Sequence, residues 1–465
     1  MNTIVKKKDN QIYRVVLQLA VPMIIQQGIT NGVTLIDNVM VGSLGTEAIT
    51  GVSIVAQLIF VFSLAIFGGL SGPGIYCAQY HGQGNKEGVQ NTFRMKIWIC
   101  AVCLVGGLLL FVFQGDNLIG LYLNGESGSI DKALTLSLAK EYLMIMLVGL
   151  VPFTITQVYA GTLRETGNSV KPMVAGIASV VVDIVFNYLL IFGNFGMPRL
   201  GVAGAALATV IARFVECGLI LIWTHARRAS HPFVVGVYKR LKVEKKLALA
   251  ILKKSLPMFL NEFMWAAALA AMTQCYSVRG LETVAGFNIS NTLCNLINVV
   301  FISMGSAVGI ITGQSLGAGK FEKAKKDAFR LMWFTAILCL VLFGILALLA
   351  PVFPQVYDTT ESVRSLATWL IIINGAFFPA QGFLNVLYFT LRSGGKTLIT
   401  FLFDSVFSWI VLVPTAFILS NFTQINILGV YAIVLFFEHA KIIVGYILIR
   451  KGVWINDLTK DLEVI

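Results

Sequence analysis

Apolar residues along this chain gather into long unbroken runs separated by short polar breaks. Twelve such segments can be marked, at 12–38, 48–75, 93–114, 137–161, 171–193, 200–224, 250–278, 284–312, 328–351, 364–390, 397–419 and 427–449. Each approaches or exceeds the ~20 residues a helix needs to cross a bilayer core. The pattern predicts an all-α polytopic membrane protein with twelve transmembrane helices. Polar atoms of the backbone must be satisfied internally at lipid depth, which leaves helices as the natural solution for runs of this length.

The polar breaks are uneven in charge. Of the 35 Lys and Arg, the loops that alternate with the N-terminal side hold only Lys132, Lys140, Arg199, Arg279 and Arg364, and Arg213 and Lys441 fall within spans. The rest sit on the side of the N-terminus, beginning with Lys6 to Lys8. Cytoplasmic loops carry such an excess, so both termini are expected in the cytoplasm and the protein in the plasma membrane. No small-residue cleavage site closes the first segment, which reads as a retained span. The longest break, 225–250, holds His225, Arg227, Arg228, Lys239, Arg240, Lys242, Lys245 and Lys246. It reads as a basic cytoplasmic linker touching anionic lipid, between an N-terminal six-helix lobe, 1–224, and a C-terminal one, 251–465.

Two registers support a duplication. A shift of 235 superimposes Pro22 on Pro257, Gly45 on Gly280, Glu47 on Glu282, Gly51 on Gly286, Gln79 on Gln314 and Gly82 on Gly317. A shift of 228 superimposes Leu163-Arg164 and Gly167 on Leu391-Arg392 and Gly395, and places Arg213 opposite Lys441. Six spans per repeat give both halves the same orientation, related by a pseudo-two-fold axis along the membrane normal, with the working site between them.

Composition narrows the function. Charged residues make up 12% and hydrophobic ones 57%, against about a quarter charged in soluble domains, so a soluble enzyme is excluded. The net charge of +12 is placed for topology rather than for nucleic acid. The seven cysteines, including the pair Cys100 and Cys103, lie in or beside apolar runs without a metal-ligand framework. SGGKT at 393–397 lacks the first glycine of a phosphate loop, where Thr390 stands. Without ATP chemistry or a resident cofactor, uphill transport needs an ion gradient.

Ionisable groups at membrane depth are the candidates for coupling. Asp37 ends the first span on a polar stripe with Gln26, Thr30 and Thr34, flanked by Gln27, Asn31 and Asn38; it either lines a cavity or caps the helix. Asp183 lies mid-span with Asn187 one turn on, on the same face. With Asp37 they offer oxygen donors for Na⁺, or a carboxylate that carries a proton. In the second half, Asn261, Glu262 and Trp265 precede an amide face of Asn288, Asn291, Asn295 and Asn298, suited either to gluing helices or to binding amphipathic cations. Arg213 with Glu216, and Glu438 and His439 with Lys441, read as local ion pairs; Asp404 has no evident partner.

Several of these stretches resemble the multidrug and toxic compound extrusion (MATE) family: AVPMIIQQ, LIDNVMVGSLGTEAITGVS, QYHGQGN with its echo QSLGAGK, LRETGNSVKP, and NYLLIFGNFGMPRLGVAGAALATVIAR. The resemblance spans both halves. It implies two six-helix lobes in a V shape and export of organic cations in exchange for Na⁺ or H⁺; the chain is expected to work as a monomer. The family's first-span aspartate falls on Asp37, and the threonine of its GAAxAT run on Thr209. Its Asn-x-x-x-Asp pair is exchanged here to Asp183 and Asn187. A seventh-helix acid used by some members is one turn from Glu262, and their tenth-helix acid falls on Gln381, so coupling is expected in the N-terminal half. The substrate cavity expected from both lines of reasoning includes Gln27, Asn31, Thr34, Asn261, Glu262, Trp265, Asn291, Asn295, Asn298 and Gln381. The alternative function is a lipid-linked oligosaccharide flippase of the wider superfamily, for which a strongly basic cavity is expected.

Overall fold

The computed structural model describes residues 11–123 and 131–460, and Lys6 to Lys8 lie outside them. The described segments are helical in the order α1 Gln11–Gly42, α2 Thr46–Gln83, α3 Lys86–Leu123, α4 Lys132–Glu165, α5 Val170–Phe192, α6 Val202–Ala226, α7 Lys245–Ser277, α8 Leu281–Gly317, α9 Phe321–Leu349, α10 Glu361–Ala376, α11 Phe378–Ser393, α12 Thr397–Phe422 and α13 Ile427–Arg450. Each expected apolar segment lands on one helix, except that 364–390 is divided between α10 and α11, bent by 48°. Ten of the helices are long and apolar enough to cross a membrane, and the bent pair qualifies as one broken span. α7 carries Lys245, Lys246, Lys253, Lys254 and Glu262.

Helix ends follow local chemistry. Asp131 accepts from the backbone N–H groups of Ala133 and Leu134 and so starts α4. Asn426 starts α13 through Gly429 N–H at 2.8 Å. Pro379 lies in the first turn of α11, where its missing N–H costs nothing, and the chain breaks just before it. Within α12, residues 402–406 and 408–412 widen to π-type hydrogen bonding. Pro414 follows immediately, and a proline ring clashes with the carbonyl four residues back, which a wider turn accommodates.

The helices form two compact units. One contains residues 25–77 and 86–248; the other contains the described residues up to Ile24, then 78–85 and the chain from Leu249 onward. In the second unit the core joins Val16 and Leu19 of α1 to Met304 and Val308 of α8, Leu331 of α9, Leu387 and Leu391 of α11, and Trp454. Two glycines fix its closest helix crossing. A Cβ on Gly82 would stand 1.9 Å from the Gln314 carbonyl oxygen, and one on Gly317 the same distance from that of Gln79. The pairs that the 235-residue shift aligns therefore pack on one another reciprocally.

In the first unit the basic segment after α6 is folded against helices. Gln90, Arg94 and Trp98, on one face of α3, donate to the carbonyls of Pro232 and Val235, of Val237, and of Leu241 respectively. Phe233, Val234 and Val237 are buried, and Phe233 packs on Phe93 with ring centroids 5.3 Å apart. The Tyr238 and Tyr159 hydroxyls are hydrogen-bonded, as are Lys171 Nζ and His231 Nε2.

Candidate functional site

The sequence spacing of Asp183 and Asn187 puts both on the buried face of α5, 7% and 1% exposed. Asn187 Nδ2 donates to Asp37 Oδ1 at 2.8 Å and makes a longer contact, 3.4 Å, with Asp183 Oδ2. Asp37 thus joins the α5 pair through an amide instead of capping α1. Gly204 lets α6 approach this helix, since a Cβ there would lie 2.5 Å from the Leu190 carbonyl oxygen. Thr209, further along α6, donates to the Ala205 carbonyl at 3.2 Å and neighbours Asp183 and Tyr142.

Two oxygens of this cluster, Asp183 Oδ1 and Asn187 Oδ1, are buried without a hydrogen-bond partner. Buried acceptors are rarely left so, and a polar atom without a partner calls for an explanation such as an ion. Two carboxylates, an amide oxygen and a hydroxyl are hard donors of the kind alkali and alkaline-earth cations take. The four residues therefore fit a small hard cation. Among the described residues no group of three or more His, Cys, Asp or Glu is arranged for a transition metal.

A second polar cluster lies in the other unit. Asp404, on the widened part of α12, accepts from Asn261 Nδ2 at 3.2 Å and from Lys441 Nζ at 3.3 Å. Asn261 also donates to the Tyr388 hydroxyl at 3.2 Å and accepts from Ser405 at 2.7 Å. Glu262 is buried next to Asn261 in sequence and lies within electrostatic reach of Arg392 and Asp404. Gln381 is hydrogen-bonded to His439 at 2.8 Å.

The MatE family model matches residues 22–189 and 257–418, one stretch in each half. The chain belongs to the MatE family. It is 26% identical over 433 residues to the probable multidrug resistance protein YoeA of Bacillus subtilis, covering 92% of this chain and 91% of that one. It is 24% identical over 433 residues to the probable multidrug resistance protein NorM of Thermotoga maritima, covering 92% and 90%. Among solved structures, a MATE crystal structure in complex with MaL6 matches with a TM-score of 0.82 at 21% identity, covering 94% and 95%. A transporter of Pyrococcus furiosus, described as having a binding pocket of reverse polarity that suggests a different function, matches with a TM-score of 0.84 at 20% identity and the same coverage. The fold is that of these MATE structures, with twelve helices in two lobes. The MatE protein is accordingly a multi-pass membrane transporter and not an enzyme.

Other sequence candidates in this MatE protein are placed less tightly. Gln27 and Thr34 are exposed and Asn31 half-buried on α1; the Thr34 hydroxyl donates back to the Thr30 carbonyl. Besides Asp37, Gln26 of the α1 stripe reaches other helices, accepting from Arg164 at 2.9 Å and contacting Glu216 at 3.5 Å. On α8, Asn291 and Asn295 are exposed, and Asn298 donates to Asn295 at 3.0 Å. Trp265 is half-buried.

The local ion pairs do not form as expected. Lys441 pairs with Asp404 of α12 instead of Glu438, because its side chain points to the neighbouring helix. Arg213 is not ion-paired to Glu216; its guanidinium lies 5.2 Å from the centroid of the Phe153 ring. Sequence reasoning also missed Lys96 of α3, fully buried and ion-paired to Glu165 of α4. Its signal was a lysine ten residues inside an apolar helix, opposite the acid of LRETG.

Proposed function

We propose that this transporter exports amphipathic organic cations in exchange for Na⁺ or H⁺ across the plasma membrane, with both termini cytoplasmic. The observation that carries the reading is the pair of partnerless oxygens on Asp183 and Asn187 beside Asp37. A Na⁺ ion entering there would be held by Asp183, Asn187, Asp37 and Thr209, supplying positive charge to a buried acidic site. A proton on either carboxylate would relieve the same charge. In both cases the ion and a cationic substrate compete for acidic charge that cannot stay uncompensated in a low-dielectric interior. The multidrug names of the relatives support the substrate class.

The test is efflux of ethidium from vesicles carrying the protein, with Na⁺ and pH gradients imposed separately. Efflux driven by one gradient and lost in Asp37→Asn is the expected result. Efflux in the variant equal to wild type would remove Asp37 from coupling, and dye unmoved by either gradient would remove organic cations as cargo.

A further inference from the structure

Lys441 is held as an organic cation would be held. Its side chain is 4% exposed and its ammonium stands 3.3 Å from Asp404 Oδ1, and 5.9 Å from the ring centroids of both Phe403 and Phe407. A carboxylate flanked by aromatic faces is the arrangement that recognises ammonium groups, by charge and by the ring quadrupole. Asn261 fixes the other carboxylate oxygen at 3.2 Å. The acid is 21% exposed, so Asp404 can be reached from a side that the lysine does not fill. It also lies on the π-type stretch of α12, a kind of irregularity concentrated at functional sites.

The first half of the chain carries the counterpart. Arg213 occupies on α6 the position that Lys441 occupies on α13, 228 residues later. Shifted by the same amount, Asp404 falls seven residues before Asp183, two turns along the same face of the helix. Each repeat thus puts a fixed cation on its sixth span and an acid on its fifth. In the first half the two are apart: Arg213 lies over Phe153, with Nη1 buried and without a hydrogen-bond partner, and Asp183 Oδ1 is equally partnerless. In the second half the cation is docked on the acid.

We infer that Asp404, Phe403 and Phe407 form an organic-cation site whose resident occupant is Lys441, a tethered ammonium that an incoming monocation displaces. Binding is then an exchange of one cation for another, and Asp404 is never left buried and unpaired, which would be costly. This inference rests on the export reading above and adds a second substrate site to it.

The experiment is equilibrium binding of benzyltrimethylammonium to the purified full chain in detergent. Lys441→Met, which removes the competitor, is expected to bind at least about tenfold more tightly than wild type. Lys441→Arg, which keeps it, is expected to stay within about threefold. Adding Asp404→Asn to Lys441→Met is expected to abolish the gain. Thermal unfolding checks that the variants fold; should Lys441→Met fail, wild type serves, because the ligand must then raise acylation of Lys441 by an amine-reactive reagent. Unchanged affinity in Lys441→Met, a gain that survives Asp404→Asn, or unchanged labelling overturns the inference alone when wild type still exports ethidium. Ligand bound by no variant and ethidium exported by none overturns the export reading with it.

Discussion

At the scale of single residues, the exchange of Asp and Asn on α5 is the feature most open to test. Asp183 and Asn187 are one turn apart on one face; the Asn187 amide donates to Asp37 and contacts Asp183, and each residue keeps one buried oxygen without a hydrogen-bond partner. Removing the carboxylate with Asp183→Asn leaves Asp37 as the only acid of the set, and gradient-driven ethidium efflux is expected to fall at least about tenfold, or ~1.4 kcal/mol of coupling. The double exchange Asp183→Asn with Asn187→Asp restores the acid one turn away without changing net charge. It is expected to recover most of that loss in the same vesicle assay; a double variant as inactive as the single one would show that the position, and not the charge, matters. These residues were legible in the sequence because polar atoms inside an apolar run have few places to go. The Asp404–Lys441 pair was not, since Asp404 is a lone charge and Lys441 has an acid within a turn of its own helix until α12 and α13 are known to face one another. For the same reason Lys441 was assigned to Glu438, its neighbour in sequence.

At the scale of elements, the spans were readable from hydropathy and the repeat from loop glycines, but the contacts that the glycines make were not. Gly317 meets the Gln79 backbone at a distance that no side chain tolerates, whereas Gly344 on α9 has open space around its missing Cβ. Gly317→Ala is therefore expected to abolish stable accumulation of folded protein, while Gly344→Ala leaves the detergent melting temperature unchanged or slightly raised. Equal behaviour of the two would refute the crossing. The break between α10 and α11 and the widened turns of α12 were announced only by Pro379 and Pro414, because a proline permits a helical distortion without specifying its kind. The segment after α6 was read as a linker from its charge, yet its few apolar residues dock it. Within it His231 is buried, and burial, then the charges of Lys171 and Arg227, push its imidazole below the ordinary 6.5. The neutral ring is thus the docked form: docking is complete above about pH 6.5 and weakens as pH falls below it. Hydrogen exchange over residues 230–241 is expected to speed up at pH 5.5 relative to pH 7.5, after correction for intrinsic rates. His231→Gln should lack this acceleration, and an identical pH response in the variant would assign it to another group.

At the scale of the whole molecule, the last residues of the described chain close onto a helix from its first quarter. Gln79 is fully buried, and its side-chain amide donates to the carbonyls of Ser393 and Asn456 at 2.9 and 3.2 Å, while its oxygen accepts from Leu458 N–H at 2.8 Å. Trp454 is equally buried within the core that joins α1, α8, α9 and α11, and its carbonyl lies where Gly394 has no side chain. Gln79 is also the residue whose backbone Gly317 crosses, so the tail, the α2 end and the duplicated glycine contact are one packed assembly inside a single unit. A chain ending at Arg450 would lose the Trp454 side chain, about 3–5 kcal/mol for a buried tryptophan. It would also leave the Gln79 amide short of partners, about 1–3 kcal/mol more. Those losses are a large part of the 5–15 kcal/mol by which proteins are stable. The truncated protein is expected to melt well below wild type in detergent, and Trp454→Ala alone to account for most of the drop. Wild-type melting of the truncated chain would mean that the tail decorates the fold without holding it.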